Sequence, residues 1–131
     1  MLKSVVASGN GGRVIAVDSI TMVTPEDAGA IVVSGSHGGT SSGAFALEVP
    51  LKAAFFNDAG VGKDNAGIAA LRMLQARGVA AGTVAHTSAR IGDSRDTWEN
   101  GVISHCNEAA RDLGCSPGAC LSAVLMELVL L

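Results

Sequence analysis

The feature that most limits the fold of this chain is a succession of three short apolar runs, each followed by a polar loop and a helix-like segment. The runs cover residues 30–34, 52–57 and 80–86. Continuous apolar runs of this length are typical of strands buried on both faces of a parallel sheet. Strands that alternate with helices lie side by side, joined by right-handed crossovers. The sequence therefore predicts the α/β class.

The N-terminal part of the chain has a different pattern. Residues 3–8 and 13–18 are Val- and Ile-rich segments separated by Gly-Asn-Gly-Gly at positions 9–12. Asn and Gly readily adopt the positive φ angles that tight hairpin turns require, so we expect an N-terminal β-hairpin. Thr24 and Pro25 then fit the start of a helix of a single turn.

Longer helices are predicted over residues 42–48, 64–77, 97–113 and 118–130. The segment 97–113 has the clearest helical periodicity, with Asn107 on its polar face and a capping box formed by Asp96 and Glu99. Its apolar stripe consists of Trp98, Val102, Cys106, Ala109 and Leu113. The last segment is apolar nearly all round, so it should be buried under the sheet or against a second subunit.

Together these patterns predict one three-layer α/β domain over residues 1–131. Its sheet should be mostly parallel, with three or more strands, helices on both faces and the hairpin at the N-terminus. A chain of 131 residues has the usual length of a single domain and can bury one core.

The composition excludes several classes of protein. Hydrophobic residues make up 48% of the chain and charged residues 16%, which excludes intrinsic disorder. A net charge of −3 argues against nucleic acid as a partner, because phosphate binding needs a basic surface. We expect no export signal and no membrane span, and hence a cytoplasmic protein. Cys106, Cys115 and Cys120 are then expected to be reduced thiols.

The reactive side chains are concentrated in the loops that follow the three apolar runs. They are Ser34, Ser36 and His37 after the first run, Asn57, Asp58 and Lys63 after the second, and His86, Thr87, Ser88, Arg90 and Asp93 after the third. The carboxyl ends of parallel strands meet at one edge of a sheet, and ligands of open α/β sheets bind outside that edge. The sequence therefore predicts a site there.

His37 and Asp58 are the candidate catalytic residues. His37 lies in a Gly-rich loop that leaves it exposed, and histidine transfers protons near neutral pH without much tuning of its pKa. Asp58 would orient His37 or act as a base itself, and a structural role as a turn or N-cap acceptor stays open. His86 and His105 are interpreted as structural histidines.

Further residues are predicted to hold a substrate carboxylate or phosphate through charge, hydroxyl groups or backbone amides. They are Ser36, Gly38, Gly39, Lys63, Ser88 and Arg90. For Lys63 and Arg90 the alternative is a solvated surface charge, and Asp93 and Asp96 are expected to cap the next helix. No metal is required, although His37, Asp58 and His86 could converge on one.

The Gly-rich loops do not match nucleotide-binding motifs. Residues 60–64 contain the Gly-Lys pair of a P-loop, but Asn57 stands in place of the first glycine and Asp64 in place of the Mg²⁺-binding Ser or Thr. The GxGxxG pattern of dinucleotide-binding proteins is also missing after the first apolar run. We therefore expect neither a P-loop NTPase nor a cofactor.

The order of these segments resembles the caspase-like cysteine peptidase fold. In that family one strand ends in His-Gly and the next ends in the cysteine nucleophile, and residues 32–38 and 54–60 occupy similar places here. The resemblance implies a similar α/β layout. The second segment holds Asn57 and Asp58 and no cysteine, which argues against cysteine peptidase activity.

The function predicted from the sequence is that of a small cytoplasmic enzyme acting on an anionic metabolite by acid–base chemistry. A hydrolase and a lyase or isomerase are both open, with a His/Asp pair at the carboxyl ends of adjacent strands. The alternative is a non-catalytic subunit that binds a small molecule or forms a homo-oligomer. Such an oligomer would bury Leu121, Val124, Leu125 and Leu128 against a copy of the chain.

Overall fold

The computed structural model describes residues 1–130 and contains a mixed sheet of six strands. The strands are β1 (Lys3–Gly9), β2 (Gly12–Val17), β3 (Ile31–His37), β4 (Ala53–Asn57), β5 (Ala80–Val84) and β6 (Ile103–Cys106). The α-helices are α1 (Thr40–Ala46), α2 (Ala69–Gln75), α3 (Ser94–Asn100), α4 (Glu108–Asp112) and α5 (Leu121–Val129). Short 3₁₀ helices cover Ile20–Met22, Pro25–Asp27 and Lys63–Ile68.

The strands follow one another across the sheet in chain order. β2, β3, β4 and β5 are parallel, whereas β1 and β6 at the two edges are antiparallel to their neighbours. The predicted α/β class and the N-terminal β-hairpin are confirmed, since β1 and β2 pair directly. The predicted single turn after Thr24 is present as a 3₁₀ helix with Pro25 as its first residue.

Successive residues of the central strands point to opposite sides of the sheet and belong to two separate apolar clusters. Phe55 of β4 packs in the cluster that includes residues of α4 and α5. Phe56, its neighbour, packs in the cluster that includes residues of α1 and α2. Both phenylalanines are fully buried. Packing on both sides fixes β4, and with it the position of the residues that follow.

α5 shows where the apolar C-terminal segment is buried. Leu121, Leu125 and Val129 recur every fourth residue and are buried in the same cluster as Phe55. Val124 and Leu128 are partly buried against it. The sheet thus supplies the burial, and the packing of residues 1–130 gives the predicted homo-oligomer no support. No helix in this range is long and apolar enough to cross a membrane.

The helix predicted over residues 97–113 is wrong, because α3, β6 and α4 follow one another there. Gly101 and the β-branched Val102 and Ile103 weaken a continuous helix at this point. The open edge of β5 offers backbone hydrogen bonds, and β6 pairs antiparallel with it. Pairing with a distant strand therefore overrides the local helical periodicity.

The structure also differs from the prediction at the start of the helix expected over residues 64–77. Its first part is the 3₁₀ helix Lys63–Ile68, and α2 begins only at Ala69. Asp64 and Asn65 have left-handed φ angles of 56° and 59°, which interrupt regular α-helix geometry.

Asn107 joins several of these elements. Its Nδ2 donates to the carbonyls of Leu71 at 3.2 Å and Val79 at 2.9 Å. Its Oδ1 accepts from the amides of Ala81 at 3.0 Å and Ala110 at 2.9 Å. Asn107 is buried, so these hydrogen bonds do not compete with water. A continuous helix would instead place Asn107 on a solvated face.

We expect Asn107→Ala to lower the free energy of unfolding by about 2–4 kcal/mol, because it leaves buried backbone groups without partners. Asn100→Ala is the matched control, since its exposed side chain bonds to Asp96, and a change within about 0.5 kcal/mol is expected. Urea unfolding measures both values. A small change at both positions would show that Asn107 is exposed, as in the continuous helix.

Candidate functional site

The connections that leave β4 and β5 turn to opposite faces of the sheet. Residues 58–67 lead from β4 towards α2, which packs in one apolar cluster. Residues 85–93 lead from β5 to α3, whose Trp98 packs against the other cluster. In open α/β sheets, crevices form at the carboxyl edge where neighbouring connections diverge. The first residues of these two connections are therefore a candidate site.

Asp58, the first residue after β4, places its carboxylate between the two connections. Its Oδ1 accepts hydrogen bonds from the amide of Gly60 at 2.8 Å and from the amide of His86 at 3.1 Å. The imidazole Nδ1 of His86 lies 3.2 Å from the same oxygen. Asp58 is only 5% exposed, so the carboxylate is held by both connections and shielded from water.

The pKa of the Asp58 carboxyl lies below its usual value of 3.8. Burial is the largest influence and by itself raises the pKa, because it disfavours the charged form. Hydrogen bonds from the Gly60 amide and from His86 outweigh burial, since they stabilise the carboxylate. Asp58 is therefore ionised at neutral pH.

His86, in the connection after β5, presents its imidazole to solvent with 55% of the side chain exposed. A carboxylate only accepts hydrogen bonds, so Nδ1 facing Asp58 carries the proton and Nε2 of the neutral ring is a free acceptor. This tautomer is assigned from the hydrogen-bond partner. A carboxylate-oriented imidazole with an open Nε2 is the arrangement that general bases use.

His37, the last residue of β3, has the opposite tautomer. Its Nδ1 accepts a hydrogen bond from the Gly39 amide at 3.0 Å, so the proton of the neutral ring is on Nε2. His37 is exposed and borders a cavity of about 390 Å³ together with Thr40 and Val61. His37 can thus donate a hydrogen bond from Nε2, whereas His86 can accept one.

The connection between β4 and α2 has a strained backbone. Its non-glycine residues with left-handed φ angles are Ala59 (52°), Val61 (67°), Asp64 (56°) and Asn65 (59°). Each such residue costs about 1–2 kcal/mol, and strain of this kind concentrates at functional sites. Gly60 of this connection lies beside the His86 ring, and Val61 borders the same cavity as His37.

The structure pairs Asp58 with His86 rather than with His37, the partner predicted from the sequence. In the sheet, His37 pairs in register with Asn57. Asp58 is one residue further along, and its amide donates to the carbonyl of Val84 in β5 at 2.9 Å, which brings its carboxylate beside the connection after β5. His86 is interpreted from the sequence as a structural histidine, whereas the structure makes it the partner of Asp58. The sequence signal for this pairing is the position of His86 at the end of the strand next to β4.

The hydroxyl groups of two predicted substrate-binding residues already bond to the backbone. Ser36 Oγ accepts from the Ile20 amide at 3.0 Å. Ser88 Oγ donates to the Ala85 carbonyl at 2.7 Å and accepts from the Val102 amide at 3.0 Å. These contacts give both serines a structural role in holding the loops of this edge.

The amides of the two predicted glycines are also engaged. The Gly38 amide donates to the carbonyl of Asn57 at 3.0 Å, and the Gly39 amide donates to His37. A side chain at position 38 would meet the carbonyl of Gly67 at 2.5 Å. Gly38 is therefore required for close packing of the loops, and Gly39 both orients His37 and borders its cavity.

Lys63 and Arg90, predicted to hold an anion, are exposed and lie outside the lining of the His37 cavity. The Arg90 amide donates to Asp96 at 2.8 Å and lowers the pKa of that carboxyl, and the Arg90 charge adds to this effect. Asp93 is the N-cap of α3 and accepts from the Asp96 amide at 3.0 Å. This arrangement replaces the predicted capping box of Asp96 and Glu99.

The remaining titratable groups form no metal centre in residues 1–130, where no cluster of three or more His, Cys, Asp or Glu side chains could hold an ion. The suggestion that His37, Asp58 and His86 share a metal therefore has no support. The three cysteines are free. Burial raises the pKa of the Cys115 thiol to about 11, whereas Cys120 is exposed.

Comparison with known protein-family models, curated proteins and solved structures gives no match for this chain. The function is therefore inferred from the geometry of the site.

The strained connection predicts that a substitution by glycine stabilises the fold, whereas glycine usually destabilises it. Ala59→Gly should raise the free energy of unfolding by up to about 1 kcal/mol, because glycine adopts a φ of 52° without strain. Ala123→Gly, exposed within α5, is the control and should lower it by about 1 kcal/mol. Thermal unfolding compares the two. Equal destabilisation would contradict the left-handed backbone at Ala59.

The lowered pKa of Asp58 predicts part of the acid sensitivity of the fold. The pKa of this carboxyl is lower in the folded chain than in the unfolded chain. Such a group stabilises the fold at pH values above its pKa in the unfolded chain, and this contribution is lost as the pH falls through its pKa in the folded chain. Between about pH 5 and pH 2, wild type should therefore lose more stability than Asp58→Asn. Urea unfolding at each pH measures the difference.

Asp112→Asn, an exposed position at the end of α4, is the control and should follow wild type through this range. An acid response of Asp58→Asn identical to wild type would show that the contacts to Gly60 and His86 do not stabilise the carboxylate.

Proposed function

We propose that this protein is an enzyme that performs acid–base chemistry on a small anionic metabolite, with His86 as the base and Asp58 as the group that orients it. The observation that carries this proposal is the buried Asp58 carboxylate 3.2 Å from Nδ1 of an imidazole that is 55% exposed. Such a carboxylate fixes the ring and stabilises the imidazolium that forms when Nε2 takes up a proton.

The backbone supports the same role. Asp58 and His86 follow the adjacent parallel strands β4 and β5, so the pair occupies the position expected for a His/Asp pair, with His86 in place of His37. The His86 amide bonds to the same carboxylate oxygen at 3.1 Å. The backbone of His86 is therefore anchored beside the carboxylate, within reach of the imidazole contact.

His37 is the proposed hydrogen-bond donor at this edge. Its strand β3 and the strand β5 flank β4, so the backbones of His37 and His86 are about two strand spacings apart, roughly 10 Å. A substrate of several atoms could place the proton to be removed near Nε2 of His86 and an oxygen near the Nε2–H of His37. Negative charge that develops on this oxygen would be stabilised by that donor.

Lys63 supports an anionic substrate. It lies in the connection between the two histidines, is exposed, and forms no ion pair with a carboxylate anywhere in residues 1–130. Arg90 is a weaker candidate, because its charge already acts on Asp96.

Three reaction types fit this arrangement. In an isomerase, His86 Nε2 removes a C–H proton next to a carbonyl group and returns it to a different carbon or face of the substrate. In a lyase, Nε2 removes the same kind of proton, a double bond forms as the bond to the leaving group breaks, and Nε2 passes the proton to that leaving group. In a hydrolase, Nε2 takes the proton of an attacking water and passes it to the leaving group. All three begin with proton transfer to the same atom, so a single experiment can detect any of them.

Proton NMR in D₂O tests the proposal with panels of small 2-oxo acids, hydroxy acids, phosphate esters and carboxylic esters. Loss of a C–H signal reports proton exchange or isomerisation, and new signals report cleavage. We expect wild type to act on at least one panel and His86→Asn to be slower by about 10²–10⁴-fold. Asp58→Asn should also be slower, because it disturbs the tautomer of His86.

Thr87→Ala, exposed beside His86, is the matched control and should keep wild-type turnover. The unfolding midpoint of His86→Asn should stay close to wild type, which separates a loss of catalysis from a loss of structure. Equal turnover in wild type and His86→Asn would overturn the assignment. Binding of an anion without turnover would favour the non-catalytic binding protein.

A further inference from the structure

A second cavity, of about 620 Å³, lies between α2 and the edge strand β6. β6 supplies Ser104 and His105 to its lining, and α2 and α4 form two of its walls. The volume falls in the range of small-molecule sites, about 300–1,000 Å³. This cavity has no signal in the sequence, because residues 103–106 fit the helical periodicity of the segment 97–113.

Hydrogen bonds fix the two walls against each other. The Gln75 side chain at the end of α2 accepts from the Ala109 amide of α4 at 2.9 Å. The buried Asn107 side chain donates to the carbonyl of Leu71, also in α2, at 3.2 Å. The cavity is therefore held in a preformed shape.

Much of the lining on the α2 side is apolar. Ile68, Leu71 and Met73 border the cavity and belong to, or pack against, the apolar cluster on this face of the sheet. A surface of this kind favours the apolar body of a ligand, because binding removes apolar area from water.

Two arginines from different helices add a recognition element. Arg72 comes from α2 and Arg111 from α4, and neither forms an ion pair with a carboxylate within the described residues 1–130. Burial raises the pKa of the Cys106 thiol, and the charge of Arg111 acts against this rise. Arg111 therefore lies close to the β6 side of the cavity.

The other charges limit what the arginines can bind. Asp64 and Glu108 also border the cavity, so its four charged side chains sum to zero. A ligand with several negative charges would meet these carboxylates, whereas one anionic group can lie between the arginines. His105 adds a hydrogen-bonding partner: its Nδ1 lies 3.3 Å from Ser104 Oγ, which leaves Nε2 for a ligand.

We propose that this cavity binds a mostly apolar small molecule that carries a single carboxylate or sulfonate group. The anionic group lies between Arg72 and Arg111, and the apolar body lies on Ile68 and Met73. The site is distinct from the Asp58–His86 pair, since neither residue borders this cavity.

Two matched fluorescent probes test the inference on the full chain: 8-anilinonaphthalene-1-sulfonate and N-phenyl-1-naphthylamine, which lacks the sulfonate. The folded protein should bind the sulfonate with one-to-one stoichiometry and more tightly than the neutral probe. Arg72→Gln and Arg111→Gln should each weaken sulfonate binding by about tenfold and leave binding of the neutral probe unchanged. Near-UV circular dichroism confirms that each variant is folded.

Arg77→Gln is the matched control, because Arg77 is exposed just after α2 but does not border the cavity. His86→Asn should bind the sulfonate like wild type. A failure of this inference can therefore be distinguished from a failure of the proposed function. Amide chemical shifts should change at residues 68–75 and 104–111. Equal affinity for both probes, an affinity unaffected by either arginine, or shifts confined to other residues would each overturn the inference.

Discussion

One carboxylate oxygen connects the two loops on which the proposed site depends. Oδ1 of Asp58 accepts from its own loop through Gly60 and from the next loop through the amide and imidazole of His86. Because Asp58 is buried, its loss would leave donors without a partner in a place that water reaches poorly. The tautomer of His86, the direction of its ring and the spacing of the two loops all follow from this one acceptor.

Much of the fold could be predicted from local patterns in the sequence. The three apolar runs became β3, β4 and β5 because strands buried on both faces need apolar side chains throughout. The segment 97–113 was the main error. Its apolar residues recur at helical spacing, but β6 forms there because β5 has a free edge. The periodicity of side chains does not reveal which segment pairs with such an edge.

The location of the candidate site could also be predicted, but the pairing within it could not. Parallel strands bring their carboxyl ends to one edge, which placed His37, Asp58 and His86 in the same region. Which imidazole meets Asp58 depends on the register of β3 against β4, where His37 lies opposite Asn57 after a local shift. Register is set by tertiary packing. The 620 Å³ cavity could not be anticipated either, because part of its lining comes from β6, which the sequence predicts as part of a helix.

The order of the strands across the sheet matches their order in the chain. Each strand can therefore pair with the one synthesised just before it, and none has to enter between two strands that are already joined. Pairing in chain order allows the sheet to grow from the N-terminus during translation. Two helices return to earlier strands: α3 packs on β2 and β3, and α5 packs on β1 and β2. The docking of α5 completes the cover of one sheet face and is the natural final step of assembly.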